Sequence, residues 1–194
     1  DSYYKASWSG NCRDAAFYSL ARLAMACGDE ADALAKVELS LQFNASNNLA
    51  MALKALALAT TQSQRAALTY IDQALKTHPL SYALHYARWA ISGDAASGNA
   101  LRQVTGGRGI NASTLAGWLV SLGKKQAARE LLALLDCQET LPLLWQASLC
   151  DNPQPYLLNA QRCFAKCVRF PNTLDEVVML QSLQQDAFAC YLLG

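Results

Sequence analysis

The stretch Ala16-Phe17-Tyr18-Ser19-Leu20-Ala21-Arg22-Leu23-Ala24-Met25, carried on through Ala33, Val37 and Ser40 to Ala45, decides the fold because it occurs again. Moved forward by 34 residues, Ala16–Ala45 falls on Ala50–Pro79 without a gap. Phe17 meets Met51, Ala21 meets Ala55, Ala33 meets Ala67, Val37 meets Ile71, Ser40 meets Ala74 and Ala45 meets Pro79. Large residues coincide with large ones and small with small. Two antiparallel helices approach closely only where each presents a small side chain at the crossing, with bulky neighbours filling the grooves one turn away. Proline after the second helix stops it and sets the next turn. A single hairpin of this kind cannot bury its apolar face, so neighbouring pairs must stack.

Outward from this repeat, apolar residues keep recurring three and four apart, as in Leu34, Val37 and Leu41, while alternating β-branched runs are absent. Turn residues interrupt the pattern at Cys27-Gly28-Asp29, Phe43-Asn44, Thr60–Ser63, Thr77-His78-Pro79, Ser92-Gly93-Asp94, Leu122-Gly123-Lys124 and Asp151-Asn152-Pro153. A further unit runs from Leu115 to Leu135, with Ala116 and Ala128 as its small residues, Gly123 at the turn and Leu132 as its large one. Between 154 and 184 two more helices are expected, broken at Phe170-Pro171-Asn172, with Asn172 or Thr173 capping the second and Asp175 and Glu176 in its first turn. The least regular stretch, 93–109, reads as a flexible connector with room for a short helix over Ala100–Val104. Its Gly106-Gly107-Arg108-Gly109 lacks the preceding strand and the Lys-Ser/Thr pair of a phosphate loop. The expected fold is all-α, antiparallel helix pairs stacked as an α-solenoid (a superhelix) across residues 1–194 as one domain.

Composition narrows the function. Hydrophobic residues make up 53% of the 194, which is incompatible with general disorder, and charged ones only 16%. Sixteen Lys and Arg against fifteen Asp and Glu leave +1, too little basic excess for nucleic acid, and no apolar run is long enough to cross a membrane. The chain opens Asp1-Ser2-Tyr3 without Met or a signal pattern and closes on Tyr191-Leu192-Leu193-Gly194, which reads as a piece of a longer polypeptide. Seven cysteines in no framework spacing are expected to be buried thiols in a reducing, cytoplasmic setting. The tripeptides Asn44-Ala45-Ser46 and Asn111-Ala112-Ser113 match the glycosylation pattern but have no secretory signal to accompany them.

The 34-residue period with its small-residue and Pro positions resembles the tetratricopeptide repeat, over residues 14–79 and more loosely 109–135. Residues 80–108 and 140–190 are degenerate. Phe17 alone keeps the first-helix aromatic, and Ala21, Ala55 and Ala116 stand where the family usually has Gly. The resemblance implies stacked helix pairs with a concave groove lined by the first helix of each pair. A narrower likeness lies in Arg169-Phe170-Pro171-Asn172-Thr173-Leu174-Asp175-Glu176-Val177-Val178-Met179-Leu180, followed by Asp186-Ala187 and Tyr191–Gly194. This segment is similar to the repeat region of the bacterial family catalogued as domain of unknown function 5107. In that family a tetratricopeptide-like tail follows β-rich, sugar-mutarotase-like domains.

No catalytic constellation, metal spacing or cofactor motif stands out, and none is expected. His78 and His85 read as turn and packing residues, and Trp8, Trp89, Trp118 and Trp145 as packing aromatics. With Leu20, Ala21 and Ala24 toward the core, helical geometry aims Tyr18, Arg22 and Met25 at the groove. Leu49, Ala52, Leu56 and Ala59 follow, then Ala83, Tyr86 and Ala90, then Ser113, Gly117 and Val120. That lining is apolar, and only Arg22 resembles the cationic clamp of repeat co-chaperones. It therefore calls for an apolar protein partner: another domain of the same chain, another subunit (a homo-oligomer included) or an apolar peptide. The first expectation is a non-catalytic docking scaffold. The second is an accessory domain of a carbohydrate-related enzyme or sugar-binding protein, giving only the rim of a site through Tyr86 and Trp89.

Overall fold

The computed structural model describes residues 2–194, apart from the side chain of Asn11; Asp1, quoted above as the opening residue, lies outside the described residues. Among the described residues the structure is helical throughout, with no strand. The chain divides into two compact units, Asp1–Val104 and Thr105–Gly194.

The first unit begins with the short α1 (Ser2–Ala6) and a 3-10 turn at Gly10–Cys12. Two pairs follow: α2 (Arg13–Ala26) with α3 (Glu30–Phe43), and α4 (Asn48–Thr61) with α5 (Gln64–Thr77). Then come α6 (Tyr82–Ser92) and α7 (Ala95–Thr105). Each helix packs on the next from α2 to α6, and α4 also packs on α6. The register of the repeat is visible in burial: Ala21, Ala33, Ala55, Ala67, Val37 and Ile71 are all fully buried. Ser40, where the next repeat has Ala74, is also buried; its hydroxyl donates to the Asp14 carbonyl at 2.9 Å and ties α3 to the start of α2. Side chains of Asp29, Asn47, Ser63 and Ser81 each accept a first-turn N–H, capping α3 to α6 in turn.

The stretch expected to be a connector is mostly helix. Gly93, at φ 67°, ends α6 in the left-handed conformation. The Asp94 carboxylate then accepts from the Ser97 N–H at 2.7 Å and its hydroxyl at 2.9 Å, nucleating α7 over a glycine- and serine-rich segment whose propensity alone is poor. Hydrogen bonds from Ser92 and Ser97 hold the Asp94 carboxyl down at about 2.

The second unit comprises α8 (Gly109–Ser121), α9 (Lys125–Leu135), α10 (Thr140–Leu149), α11 (Gln154–Lys166), α12 (Leu174–Ser182) and α13 (Ala187–Leu193). The pairs α8–α9 and α10–α11 pack, α8 and α9 both pack on α10, and α12 packs on α8, α10 and α13. Ala116 and Ala128 are fully buried and Leu132 nearly so. Gly109 begins α8 with its N–H donating to the Glu139 carboxylate at 2.8 Å, so the residue ahead of α10 fastens the start of α8.

The cysteines depart from expectation. All seven are free thiols and only Cys137 is buried; Cys12, Cys27, Cys167 and Cys190 are exposed. The reason is helical phase: these residues sit at helix ends and outer faces, where the apolar stripe does not reach. Among the described residues no helix is long and apolar enough to cross a membrane.

Candidate functional site: a groove occupied by its own chain

On α8, Ser113, Gly117 and Val120 recur at helical spacing on one face, and that face receives α12. Three features seat the incoming helix. Gly117 lacks a Cβ, and one built there would lie 3.1 Å from the Asp175 Cβ and 3.1 Å from a ring carbon of Trp145. With a Cβ at that position α12 or Trp145 would have to give way by a few tenths of an ångström. The second feature is a buried polar relay: the Trp145 indole N–H donates to the Ser113 hydroxyl at 3.0 Å, and that hydroxyl donates to Glu176 Oε1 at 2.7 Å. Trp145, Ser113 and Glu176 are 2%, 1% and 3% exposed. The third is the start of α12 itself, a capping box in which Thr173 Oγ1 accepts the Glu176 N–H at 3.2 Å. Glu176 Oε2 accepts the Asn172 and Thr173 N–H groups at 2.9 and 3.3 Å.

Glu176 therefore works in two directions. One carboxylate oxygen closes its own helix start and the other reaches the floor of the groove. A buried carboxylate is tolerated when each oxygen is hydrogen-bonded, and here both are. Met179 and Leu180, on the next turn, are buried. Alongside α12 the groove keeps a cavity of about 350 Å³ whose lining includes Val120, Trp145, Leu149, Val178 and Met179 together with the charged Lys125 and Asp175. Val178 and Leu174 are 56% and 78% exposed, leaving an apolar strip on the outer side of α12.

The expected groove residues fall into two sets. Val120 belongs to the second unit and lines the cavity just described. In the first unit Tyr18 and Arg22 sit one turn apart on α2, half-buried, with the Arg22 guanidinium carbon 5.8 Å from the Tyr18 ring centre. Leu49 and Leu56 are half-buried on α4. Met25 and Tyr86 are core residues at 4% and 2% exposure, and Tyr86 packs edge-to-face on Trp89 at 6.1 Å. With its ring enclosed, Tyr86 has no face to offer a sugar. His85 is held by the Pro79 carbonyl, 2.9 Å from its Nε2. Among the described residues no group of three or more His, Cys, Asp or Glu side chains is placed to hold a metal ion.

Asp175 and Glu176 lie in the first turn of a capped helix, as the sequence predicts, but the burial of Glu176 is not expected of an acidic residue that partners the helix dipole. The missed signal was the capping box Thr173-Leu174-Asp175-Glu176 running straight into Val177-Val178-Met179-Leu180, a helix start whose acidic residue precedes an apolar face. Neither a family model nor a solved structure matches the chain.

Proposed function

We propose that the chain is a non-catalytic helical-repeat scaffold of tetratricopeptide type, which docks amphipathic helices of protein partners or of its own polypeptide. The observation that carries this reading is α12 itself, a nine-residue helix held across α8 and α10 by a glycine notch and a buried carboxylate relay. The chemistry recognised is specific. It is a helix start of the form Thr-x-x-Glu whose glutamate reaches the Ser113 hydroxyl while apolar residues one turn on enter the groove. Trp145 orients that hydroxyl, so the floor presents a donor rather than a second acceptor.

The test frees the groove in the full chain. Glu176→Lys removes the acceptor and brings a cation to the relay, releasing α12. A synthetic peptide spanning residues 169–185 is then added in trans. Binding is expected, with a shift in tryptophan emission that is lost when Trp145→Phe is added. The same peptide carrying Glu176→Gln should bind about tenfold more weakly, the loss of one charge-assisted hydrogen bond. Equal binding of the two peptides, or none of the native one to a chain that keeps its helical circular dichroism, removes the proposal.

A further inference from the structure

The C-terminal end of α11 and the start of α10 enclose a second cavity, of about 340 Å³. Cys163, Lys166 and Cys167 line it from positions i, i+3 and i+4, and Arg169 closes it from the segment that follows. Opposite them stands the start of α10, including Glu139. The lining combines two thiols with two cations, and neither Lys166 nor Arg169 is engaged in an ion pair among the described residues. The one carboxylate in the lining is Glu139, whose Oε1 accepts the Gly109 N–H at 2.8 Å, so the cations outnumber it two to one.

The thiols differ. Cys163 Sγ donates to the Gln138 carbonyl at 3.3 Å. Cys167 is exposed at the end of α11, with no hydrogen bond through its sulfur. Cys137, at the neighbouring turn, is buried, and burial together with the Glu139 carboxylate pushes its thiol up to about 11. Of the cysteines in this region, Cys167 alone joins access to solvent with cations at hand.

We propose that Cys167 is a site of mixed-disulfide formation with small anionic peptide disulfides of the glutathione class, whose carboxylates are received by Lys166 and Arg169. In the exchange the Cys167 thiolate attacks one sulfur of the incoming disulfide. A bond forms between that sulfur and Cys167 Sγ, and the reagent's own S–S bond breaks. The departing half leaves as a thiolate and takes up the proton that Cys167 released, so no further oxidant is consumed. The two carboxylates of each glutathione half equal the two cations in number and are opposite to them in charge.

The experiment treats the full chain with oxidised glutathione and follows the mass of each cysteine-bearing peptide with time. Cys27 and Cys190 are exposed thiols without such a cation pair and serve as internal references. Cys167 is expected to react about tenfold faster than either, the scale of electrostatic focusing by paired charges. The double variant Lys166→Gln/Arg169→Gln should bring Cys167 down to the reference rate, while its rate with uncharged 2-hydroxyethyl disulfide stays unchanged. Equal rates at Cys167 and the references overturn the proposal. So does a fast Cys167 that the double variant leaves fast, which marks an accessible thiol only, and so does reaction at Cys163 in place of Cys167.

Discussion

At Ser113 one hydroxyl stands between two buried groups, accepting from the Trp145 indole and donating to Glu176. Ser113→Ala strands both of them. The cost of leaving a buried donor and a carboxylate oxygen without their partner is about 2 kcal/mol, which lowers the midpoint of urea unfolding. Ser113→Thr, which retains the hydroxyl, should lose less; an Ala variant as stable as the parent would show that the relay contributes nothing. Asp94 sets a pH dependence in the other unit. Its carboxyl titrates near 2 in the folded chain against an ordinary 3.8, so its cap of α7 is complete above about 3.8 and is lost as pH falls through 2. The Ser97 amide resonance should follow that titration with a midpoint near 2. A midpoint near 3.8 would mean that the carboxylate does not hold the helix start.

Among the elements, the pairs α2–α3 and α4–α5 were legible because their cause is local and periodic: small residues recur 34 apart and all of Ala21, Ala55, Ala33 and Ala67 are buried. Replacing Ala67 by Leu should force α5 off its neighbours and cost about 2 kcal/mol by overpacking, read in the thermal midpoint. A neutral substitution would place the crossing elsewhere. Of helix α7 only the stretch Ala100–Val104 was legible; its first half was not, because Ser97, Gly98 and Asn99 are poor helix formers and the helix depends on the Asp94–Ser97 cap. The position of Thr173 as a cap was readable from its neighbours, but the burial of Glu176 was not. Its partner Ser113 lies 63 residues away, and a glutamate in a first turn is solvated by default. Gly117 was legible as a groove-face residue beside Ser113 and Val120, but not as a notch, since glycine inside a helix weakens it and reveals a close approach only once the approaching helix is known. Gly117→Leu therefore tests α12 as an element: the side chain fills the notch, expels α12 and exposes Trp145. A red shift in emission is expected with α8–α11 still helical.

For the molecule as a whole, the division at Val104 and Thr105 sets how far a local defect spreads. Helical repeats are stabilised by contacts within and between adjacent pairs, so loss of one interface weakens its neighbours first. The relay, the glycine notch and the Glu139 tie to Gly109 all lie in the second unit, while the alanine crossings of the 34-residue repeat lie in the first. Hydrogen exchange on Ser113→Ala should accordingly show faster exchange in α8, α10 and α12, with the amides of α2 to α5 protected as in the parent chain. Ala67→Leu should give the converse pattern, opening α4 to α6 and sparing α8 to α12. If either variant raises exchange equally in both units, they unfold as a single cooperative block. Helix docking in the α8–α10 groove would then draw on the stability of the entire chain, and a partner that displaces α12 would have to compete against all of it.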